Sequence, residues 1–539
     1  MKRMGLWLVF FAGILSMPAI TLFGAEISTW TGAELKALPE AYWTVQHQRE
    51  RQWRTYCAAQ ADKFSQIYGN GIRNSYDLFL KEQAGTAVKP PVVQAKTLKR
   101  LTDVACLPGR MFGALKGTPL PQMRLVAYKK GALRVIPFDI VEFTAAGRMV
   151  LPAGPEANPK DGDGVLSEND RLFFLAVDAG HKVDKGLISE TFKGVKEVVE
   201  IELAYAPDNE RGWAYLAAFA DAPPEKSPLN YIVVHSDASM FYSPFMLIQA
   251  RPRLVKKGLA PTVDVCSWVI APAIGGTMLD IHNKFFIDIK MGYRLGVTMR
   301  EDQDDFDLSW RAWYEGSVIG FSRVSWKVST PLGIGAPVVF ADVVASPFAL
   351  LDQNFLNTPF DPSILLKSFT LAIGEDLNTR VTGDKNYRIL TAKDRQGQAV
   401  EAKNPQTRTL LDNSTKPHDL WHVLTGPSGT MCMVSGLNDF LTQQARFRLE
   451  YRDAPDSIGR YDYVLDLANF KNRQENMYLE WNVVPFFGSK GNYQWKNLDL
   501  VLKHTDKPLS YSVDGGTRLQ SGAFTHIPDI KAEKRYYRY

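Results

Sequence analysis

The stretch that decides the fold is LSWRAWYEGSVIGFSRVSWKV, residues 308–328. Two runs rich in aromatic and β-branched residues flank Glu315-Gly316, a pattern that predicts two strands joined by a turn. In the second run, apolar residues such as Val324 and Trp326 alternate with polar residues such as Arg323. Because side chains alternate between the faces of a strand, this period predicts an antiparallel sheet with one solvent-exposed face.

Short runs of the same kind continue on both sides of this hairpin. Apolar and aromatic residues dominate residues 124–128, 133–138, 172–177, 198–203, 212–216, 231–234, 284–299, 446–451, 477–481 and 498–502. Residues 31–80 differ, because their apolar residues recur at helical spacing. The sequence therefore predicts a mainly β fold of several antiparallel sandwich-like domains with a helical N-terminal segment.

With 539 residues the chain exceeds what a single ordinary core accommodates, so it should divide into several domains. Changes in composition place the boundaries near proline-rich breaks and shifts of period. The predicted segments are a signal peptide (1–25), a helical N-terminal segment (26–105), a β-sandwich domain (106–250), a large supersandwich-like domain (251–440) and a C-terminal β domain (441–539).

The order of strands, from residues 212–216 through the hairpin of residues 308–328, resembles that of large secreted bacterial proteins of unassigned function. The middle sheets resemble the broad sandwich of the mutarotase-like and polysaccharide-lyase-like folds. This resemblance rests on the strand pattern over about two thirds of the chain and implies a β-sandwich. It includes no catalytic motif and implies no role for any residue.

The N-terminus predicts export from the cytoplasm. Lys2 and Arg3 precede an uncharged run from Gly5 to Phe23, and small residues follow at Gly24-Ala25. This is the pattern of a cleaved signal peptide, with a retained membrane anchor as the alternative. No second apolar run of spanning length follows in the sequence. We therefore expect a periplasmic or secreted protein whose mature chain has no membrane span.

The charge and the missing motifs argue against several classes of protein. A net charge of +5 is too small and too dispersed for a nucleic-acid partner. The sequence contains neither the CxxCH pattern of attached haem nor the glycine-rich GxxxxGK and GxGxxG loops that hold nucleotides. We therefore expect neither haem nor a nucleotide as cofactor.

The four cysteines are Cys57, Cys106, Cys266 and Cys432. In an oxidising compartment an even number of cysteines can pair completely. We expect Cys57–Cys106 and Cys266–Cys432, because each pair then stays within one region of the chain. Buried free thiols are the alternative.

Residues 161–170, DGDGVLSEND, form an Asp/Gly loop that resembles a calcium-binding loop. In that comparison the oxygen ligands come from Asp161, Asp163, the Val165 carbonyl, Ser167 and Asp170. The first ligand position is occupied by Pro159, and a strand rather than a helix is predicted to follow. Calcium binding and a plain turn stabilised by side-chain hydrogen bonds are therefore both open.

An acidic run, EDQDDFD at residues 301–307, precedes the first strand of the hairpin. Carboxylates beside exposed aromatic rings are typical of proteins that act on sugars. Asp302, Asp304 and Asp305 are therefore candidate catalytic residues, and Trp310 and Trp313 are candidate ligand-binding residues. A solvated loop at the end of a hairpin is the simpler alternative.

A pair of histidines, His418 and His422, is the remaining motif of chemical interest. They could share a zinc ion only if they lay on one face of a helix. Pro417 before them and Val423-Leu424 after them favour a strand or turn, so we expect structural histidines.

The sequence lacks a specific catalytic motif, so the first functional hypothesis is an exported, non-catalytic binding protein of the envelope or extracellular space. Its many aromatic residues make a glycan the expected ligand, and other envelope proteins are the second class of partner. A carbohydrate-active lyase or hydrolase that uses the acidic run is one alternative. A structural docking subunit of a secreted assembly, which uses sheet edges, is the other.

Overall fold

The structure is a computed structural model that describes residues 91–520, apart from internal gaps. The longer gaps are 271–281, 328–337, 358–365, 378–386, 401–406, 413–419, 438–444, 469–480 and 489–508. In several strands of the middle and C-terminal parts only the backbone is described. The predicted signal peptide and residues 26–90 of the predicted helical segment lie outside these residues, and the described part of residues 91–105 contains strands where a helical segment was expected.

Strands make up most of the described chain. The strands of the first part are β1 (Val92–Gln94), β2 (Val104–Pro108), β3 (Met123–Lys129), β4 (Ala132–Val135), β5 (Asp139–Val141), β6 (Arg171–Leu175), β7 (Lys182–Val183), β8 (Val195–Tyr205) and β9 (Glu210–Phe219). Those of the middle part are β10 (Val233–His235), β11 (Met240–Tyr242), β12 (Met246–Val255), β13 (Gly258–Ile270), β14 (His282–Tyr293), β15 (Thr298–Asp302), β16 (Asp307–Glu315), β17 (Gly320–Lys327), β18 (Val338–Ala345), β19 (Leu350–Asn357) and β20 (Leu366–Leu377). Those of the last part are β21 (Arg388–Thr391), β22 (Gln398–Ala399), β23 (Arg408–Asp412), β24 (Trp421–Gly426), β25 (Gly429–Leu437), β26 (Ala445–Ala454), β27 (Ser457–Ala468), β28 (Trp481–Gly488), β29 (Ser510–Val513) and β30 (Leu519–Gln520).

Helical structure is sparse in the part of the chain that the structure describes. It consists of one α-helix, α1 (Lys185–Thr191), and short 3-10 segments. The Asp184 side chain caps α1 by accepting a hydrogen bond of 2.7 Å from the Gly186 N–H. The 3-10 segments are Gly109–Met111, Gly113–Leu115, Leu120–Gln122, Pro159–Asp161, Ala176–Asp178 and Ala206–Asp208. No helix among the described residues is both long and apolar enough to cross a membrane.

The strands form several sheets, and every strand pair among the described residues is antiparallel. The expectation of a mainly β fold with several antiparallel sheets is therefore confirmed. The strand orders are β1-β7, β10-β11-β12-β13, β15-β14-β20-β27-β26-β23, β16-β17-β18-β19-β28-β25-β24-β21-β22, β2-β6-β5 and β30-β29-β8-β9-β3-β4.

The sheet built on β8 and β9 has a hydrophobic cluster on each face. The larger cluster includes Leu125, Ile201 and Leu216, all fully buried. The smaller one, around Trp213, packs beneath α1 through Ile188. A sheet covered on both faces needs apolar residues at successive positions, which explains the near-continuous apolar sequence of β9.

The expectation of a half-exposed hairpin sheet is wrong for its second strand. All residues from Val318 to Ser325 are buried, and Arg323 is only 9% exposed. The strand β17 lies between β16 and β18, and β10 lies so close that a Cβ added to Gly320 would be 2.7 Å from Val234 Cγ2. Arg323 also lies over the Phe321 ring, 5.7 Å from its centroid. The alternating polar residues of β17 therefore belong to a buried strand.

The last part of the chain is divided among three sheets. The strands β26 and β27 join β20, β28 joins β19 and β25, and β29 joins β8. Among the described residues, no sheet is made of residues 441–539 alone. The boundary expected at residue 441 therefore does not coincide with a break between sheets.

Candidate functional site

The structure places the start of the predicted acidic run and the predicted tryptophans in different sheets. Asp302 ends β15, at the edge of the six-stranded sheet that contains β14 and β20, where it lies opposite Asp288. Trp310 and Trp313 lie in β16, at the edge of the nine-stranded sheet. The side chains of Asp302 and Trp310 and the whole of Asp304 and Asp305 lie outside the described residues, so the catalytic role expected for these aspartates stays a prediction.

The strand β16 contains a bulge between its two tryptophans. Trp310 lies opposite Val324 and Trp313 lies opposite Ser322, with one extra residue, Arg311, on the β16 side. Such an insertion changes the register of everything that follows it along the strand. The bulge therefore decides on which face of the sheet each side chain of β16 lies after residue 311.

Trp313 is partly exposed and is held against a tight turn. The Trp313 N–H donates to the Ala153 carbonyl at 2.9 Å, and the Ala153 N–H donates back at 3.4 Å. Gly154 follows with φ +111°, and a Cβ there would lie 2.9 Å from Cζ3 of the indole and 2.7 Å from the Ala312 Cα. Only glycine accommodates both that backbone conformation and that approach. The turn thus supports one side of the indole.

An ion pair joins β16 to the residues that follow the Gly154 turn. The Glu156 N–H donates to the Arg311 carbonyl at 2.8 Å, and the side chains of Arg311 and Glu156 form an ion pair. Both side chains remain about a third exposed, at 29% and 39%. The pair therefore offers hydrogen-bond donors and acceptors at a position two residues before Trp313 in β16.

A buried carboxylate lies at the turn that follows β16. Asp139 is buried and accepts N–H bonds from Ser317 (2.7 Å), Val318 (2.7 Å) and Ile319 (3.0 Å). Burial raises the pKa of Asp139, and these three donors oppose that shift. Burial also raises the pKa of the Tyr314 phenol well above its ordinary value, and the carboxylates of Asp139 and Glu142 raise it further. Tyr314 is therefore a neutral hydrogen-bonding group at every physiological pH.

Glu142 connects this strand with the Asp/Gly loop. One of its carboxylate oxygens accepts the Gly164 N–H at 2.7 Å, and a Cβ on Gly162 would lie 2.9 Å from the same carboxylate. The charge on Glu142 also acts on Tyr314. Together Trp313, Tyr314, Arg311, Glu142, Glu156 and Asp139 form what we call the Trp313 site.

Sequence reasoning found Trp313 but missed the other members of the Trp313 site. Asp139, Glu142 and Glu156 are 157–174 positions before Trp313 in the chain, and no local pattern marks them. The turn glycine, Gly154, was the one available signal, because it stands in the sequence Pro152-Ala153-Gly154-Pro155.

In the Asp/Gly loop, two of the carboxylates, those of Asp163 and Asp170, bind backbone N–H groups. Asp163 accepts the Val165 N–H at 3.0 Å. Asp170, only 1% exposed, accepts the N–H groups of Phe143 (2.9 Å) and Ser167 (2.6 Å). These bonds are those of the plain-turn alternative.

The acidic residues among the predicted calcium ligands have other partners in the structure. Across the described ranges, no three acidic, histidine or cysteine side chains are placed to share a metal ion. Asp161 accepts from the Asn158 amide at 3.1 Å, and Glu168 pairs with Lys116 at 2.6 Å. Calcium could bind here only if Asp161 and Asp170 exchanged these hydrogen bonds for the ion.

Of the cysteines, Cys432 carries a buried free thiol in β25, and burial raises its pKa to about 12. The bond expected between Cys432 and Cys266 is therefore not formed in the structure. Cys266 is in β13 of the four-stranded sheet, whereas β25 is central in the nine-stranded one. Cys106 is in β2, and its expected partner Cys57 lies outside the described residues, so that pairing stays a prediction.

A second polar group lies in the interior. His422 of β24 is fully buried, and its Nδ1 is 2.5 Å from the Tyr463 hydroxyl of β27. Its ring is also 4.4 Å from that of Tyr461, whose hydroxyl donates to Glu375 at 2.5 Å and contacts the Met433 sulfur at 3.2 Å. We call these residues, with Ser435 of β25, the His422 cluster. His422 is thus a structural histidine in a strand, as expected, while His418 lies outside the described residues.

Comparisons with known proteins give no family for the chain. No family model matches it, and a search of the curated proteins finds no match. Among solved structures, an α-mannosidase from Enterococcus faecalis is similar with a TM-score of 0.39 and 8% identity, over 79% of this chain and 45% of that one. A glycosyl hydrolase family 38 protein from the same species has a TM-score of 0.38 and 8% identity, over 80% and 47%.

A protein from Synechocystis sp. PCC 6803 is similar with a TM-score of 0.28 and 10% identity, over 50% of this chain and 100% of that one. The chain spans less than half the length of the two enterococcal proteins, at 47% and 45%. With TM-scores this low, no statement about the fold or the function of this chain rests on the likeness.

Proposed function

We propose that this chain is an exported, non-catalytic binding protein of the envelope or extracellular space, and that it binds a glycan at the Trp313 site. The observation that carries the proposal is the partly exposed Trp313 indole, held by the Gly154 turn beside an ion pair. Aromatic faces contribute apolar contact area to a sugar ring at little entropic cost. Paired donors and acceptors beside such a face suit the hydroxyl groups around that ring.

The state of the carboxylates supports binding over catalysis. Asp139 is fully used by three N–H donors, Glu142 accepts from Gly164, and Glu156 is paired with Arg311. A general acid or base must be able to exchange a proton with its substrate. Within the described part of this site, each carboxylate has a structural partner instead.

We also propose that the six-stranded sheet that contains β20 and β27 lies face to face with the nine-stranded sheet, as in a sandwich. The contact between His422 of β24 and Tyr463 of β27 supports this, because the two residues belong to different sheets. Face-to-face sheets bring their inward side chains together in this way. The predicted signal peptide supports a periplasmic or secreted location, and N-terminal sequencing of the protein isolated from its native cells tests it.

Affinity electrophoresis of the full mature chain tests the binding function. The probes are soluble polysaccharides cast into the gel: glycol chitin, xylan and polygalacturonate. We expect at least one of them to retard the native protein, and Trp313→Ala to abolish that retardation. Trp313→Phe should retain part of the retardation, because an aromatic face remains. Val93→Ala, at a 61% exposed position distant in sequence from Trp313, should retain all of it.

Circular dichroism of each variant shows whether the fold is intact. Equal retardation of the native chain and of folded Trp313→Ala, or no retardation by any probe, would contradict the proposal. Depolymerisation of a probe would instead favour the lyase or hydrolase alternative.

A further inference from the structure

Two buried polar atoms in the His422 cluster make no hydrogen bond with protein atoms. They are Nε2 of His422, in a fully buried residue, and Oγ of Ser435, whose residue is 2% exposed. A buried polar group without a partner costs about 1–3 kcal/mol, so such groups are seldom left unpaired. Two in one cluster require a common explanation.

Hydrogen bonding fixes which group His422 offers. Burial lowers the pKa of His422 to about 3, so the imidazole is neutral. Burial also raises the pKa of Tyr463 well above its ordinary value, so the phenol keeps its proton and can donate it to Nδ1. We assign Tyr463 as the donor in this bond; the neutral ring then carries its own proton on Nε2, which becomes a donor without an acceptor.

Strand register places the Ser435 side chain on the same face of the sheet as the His422 side chain. His422 lies opposite Met433, and the Ser435 N–H donates to the Leu420 carbonyl at 2.8 Å. His422 and Ser435 are therefore diagonal neighbours on one face of β24 and β25, a relation that separates backbones by about 7–8 Å. The Ser435 hydroxyl is also near enough to the Tyr463 hydroxyl to oppose the rise of its pKa, although the two groups do not meet the geometry of a hydrogen bond.

This arrangement suits one small, neutral ligand that both donates and accepts. Nε2–H needs an acceptor, and the serine hydroxyl can either donate or accept. A water molecule makes two to four hydrogen bonds of about 2.8 Å and spans two groups that cannot reach each other. A metal ion fits poorly, because a protonated Nε2 has no lone pair for it.

We infer that the His422 cluster binds one internal water molecule, which accepts from His422 Nε2–H and donates to Ser435 Oγ. The water completes a chain of hydrogen bonds that runs from Ser435 through His422 to Tyr463 between the two sheets. It is a structural ligand, separate from the Trp313 site, and it does not depend on the proposed glycan-binding function.

A crystal structure of the full mature chain, at a resolution where ordered waters are visible, tests the inference. We expect one peak of density within hydrogen-bonding distance of both His422 Nε2 and Ser435 Oγ, with no anomalous signal. In Ser435→Val, whose added methyl groups occupy that space, the peak should disappear while the neighbouring strands keep their positions. An ordered site without a peak, or a peak with anomalous scattering, would overturn the inference.

A solution measurement covers the case in which the variant does not fold. In the native protein labelled with ¹⁵N-histidine, the His422 Nε2 proton should give a cross-relaxation peak at the water frequency that survives in slowly exchanging conditions. A protonated Nδ1 with an unprotonated Nε2 would contradict the assigned direction of the chain, and the absence of the water peak would contradict the site.

Discussion

At the residue scale, one glycine decides how Trp313 is presented. Gly154 combines a positive φ with close approach to β16, whereas Gly117 has a similar φ of +80° and open space around its Cα. The two positions therefore separate backbone strain from steric overlap. A substitution at each one measures how firmly the turn supports the indole.

We expect Gly117→Ala to lower the free energy of unfolding by about 1 kcal/mol, the usual cost of a left-handed backbone for alanine. Gly154→Ala should cost about 1–3 kcal/mol more, because its Cβ would overlap backbone atoms of Arg311 and Ala312. Urea denaturation of both variants and of the native chain gives the comparison. Equal losses at the two positions would show that the contact with β16 does not constrain the turn.

His422 should make the protein sensitive to acid. Its pKa is about 3 in the folded chain and near 6.5 when unfolded, so the unfolded chain binds an extra proton between these values. Stability from this group is therefore complete above about pH 6.5 and falls by about 1.4 kcal/mol per pH unit between that pH and about pH 3.

We expect the loss of unfolding free energy between pH 6.5 and pH 4.5 to be about 2–3 kcal/mol smaller in His422→Gln than in the native chain. Other titrating groups contribute equally to both proteins and cancel in this difference. Urea denaturation at the two pH values provides the measurement. Parallel losses in both proteins would contradict the buried, neutral imidazole.

At the element scale, the hairpin of β29 and β30 completes a sheet whose other strands come from residues 123–219. Ser510 to Val513 pair with Ala204 to Ile201 of β8, and Tyr511 belongs to the core beneath. Without the hairpin, β8 becomes an edge strand with unpaired N–H and C=O groups.

Truncation after Lys507 should therefore raise the rate of amide hydrogen exchange in β8, while β3 in the same sheet keeps its partners β4 and β9. Truncation after Gln520 is the matched control, because it retains the hairpin. Exchange followed by mass spectrometry reports both strands. Unchanged protection of β8 in the shorter chain would show that the hairpin is not part of the stable sheet.

Thermal unfolding can decide whether the Asp/Gly loop binds calcium. Because Asp163 and Asp170 already bind backbone N–H groups, we expect the same thermal unfolding midpoint in millimolar calcium and in chelator. A higher midpoint in calcium, abolished by Asp163→Ala, would show that the loop rearranges to bind the ion. Asp208→Ala, in another surface turn, is the control for a general effect of removing a carboxylate.

At the scale of the whole molecule, the period-two pattern was enough to predict a mainly β chain. It did not predict exposure, because Arg323 and Ser325 are buried although they alternate with apolar residues. Covering of a strand by another sheet is a long-range effect that no local pattern contains. The same reason limits the prediction of the Trp313 site. Trp313 stands in a recognisable strand, whereas Glu142 and Glu156 are distant in sequence and become part of the site only when the chain folds.

The division of the C-terminal strands among three sheets has a consequence for the order of events in biosynthesis. The Ser510 hydroxyl donates to the Ala204 carbonyl across 306 positions of sequence, so β8 is synthesised long before its neighbour exists. Contacts this distant in the chain slow folding, and a half-finished sheet is prone to aggregate. We therefore expect one edge of β8 to stay unpaired, with β9 already on its other edge, until residues 510–513 join it, and a chaperone in the compartment where the chain folds would suit that task.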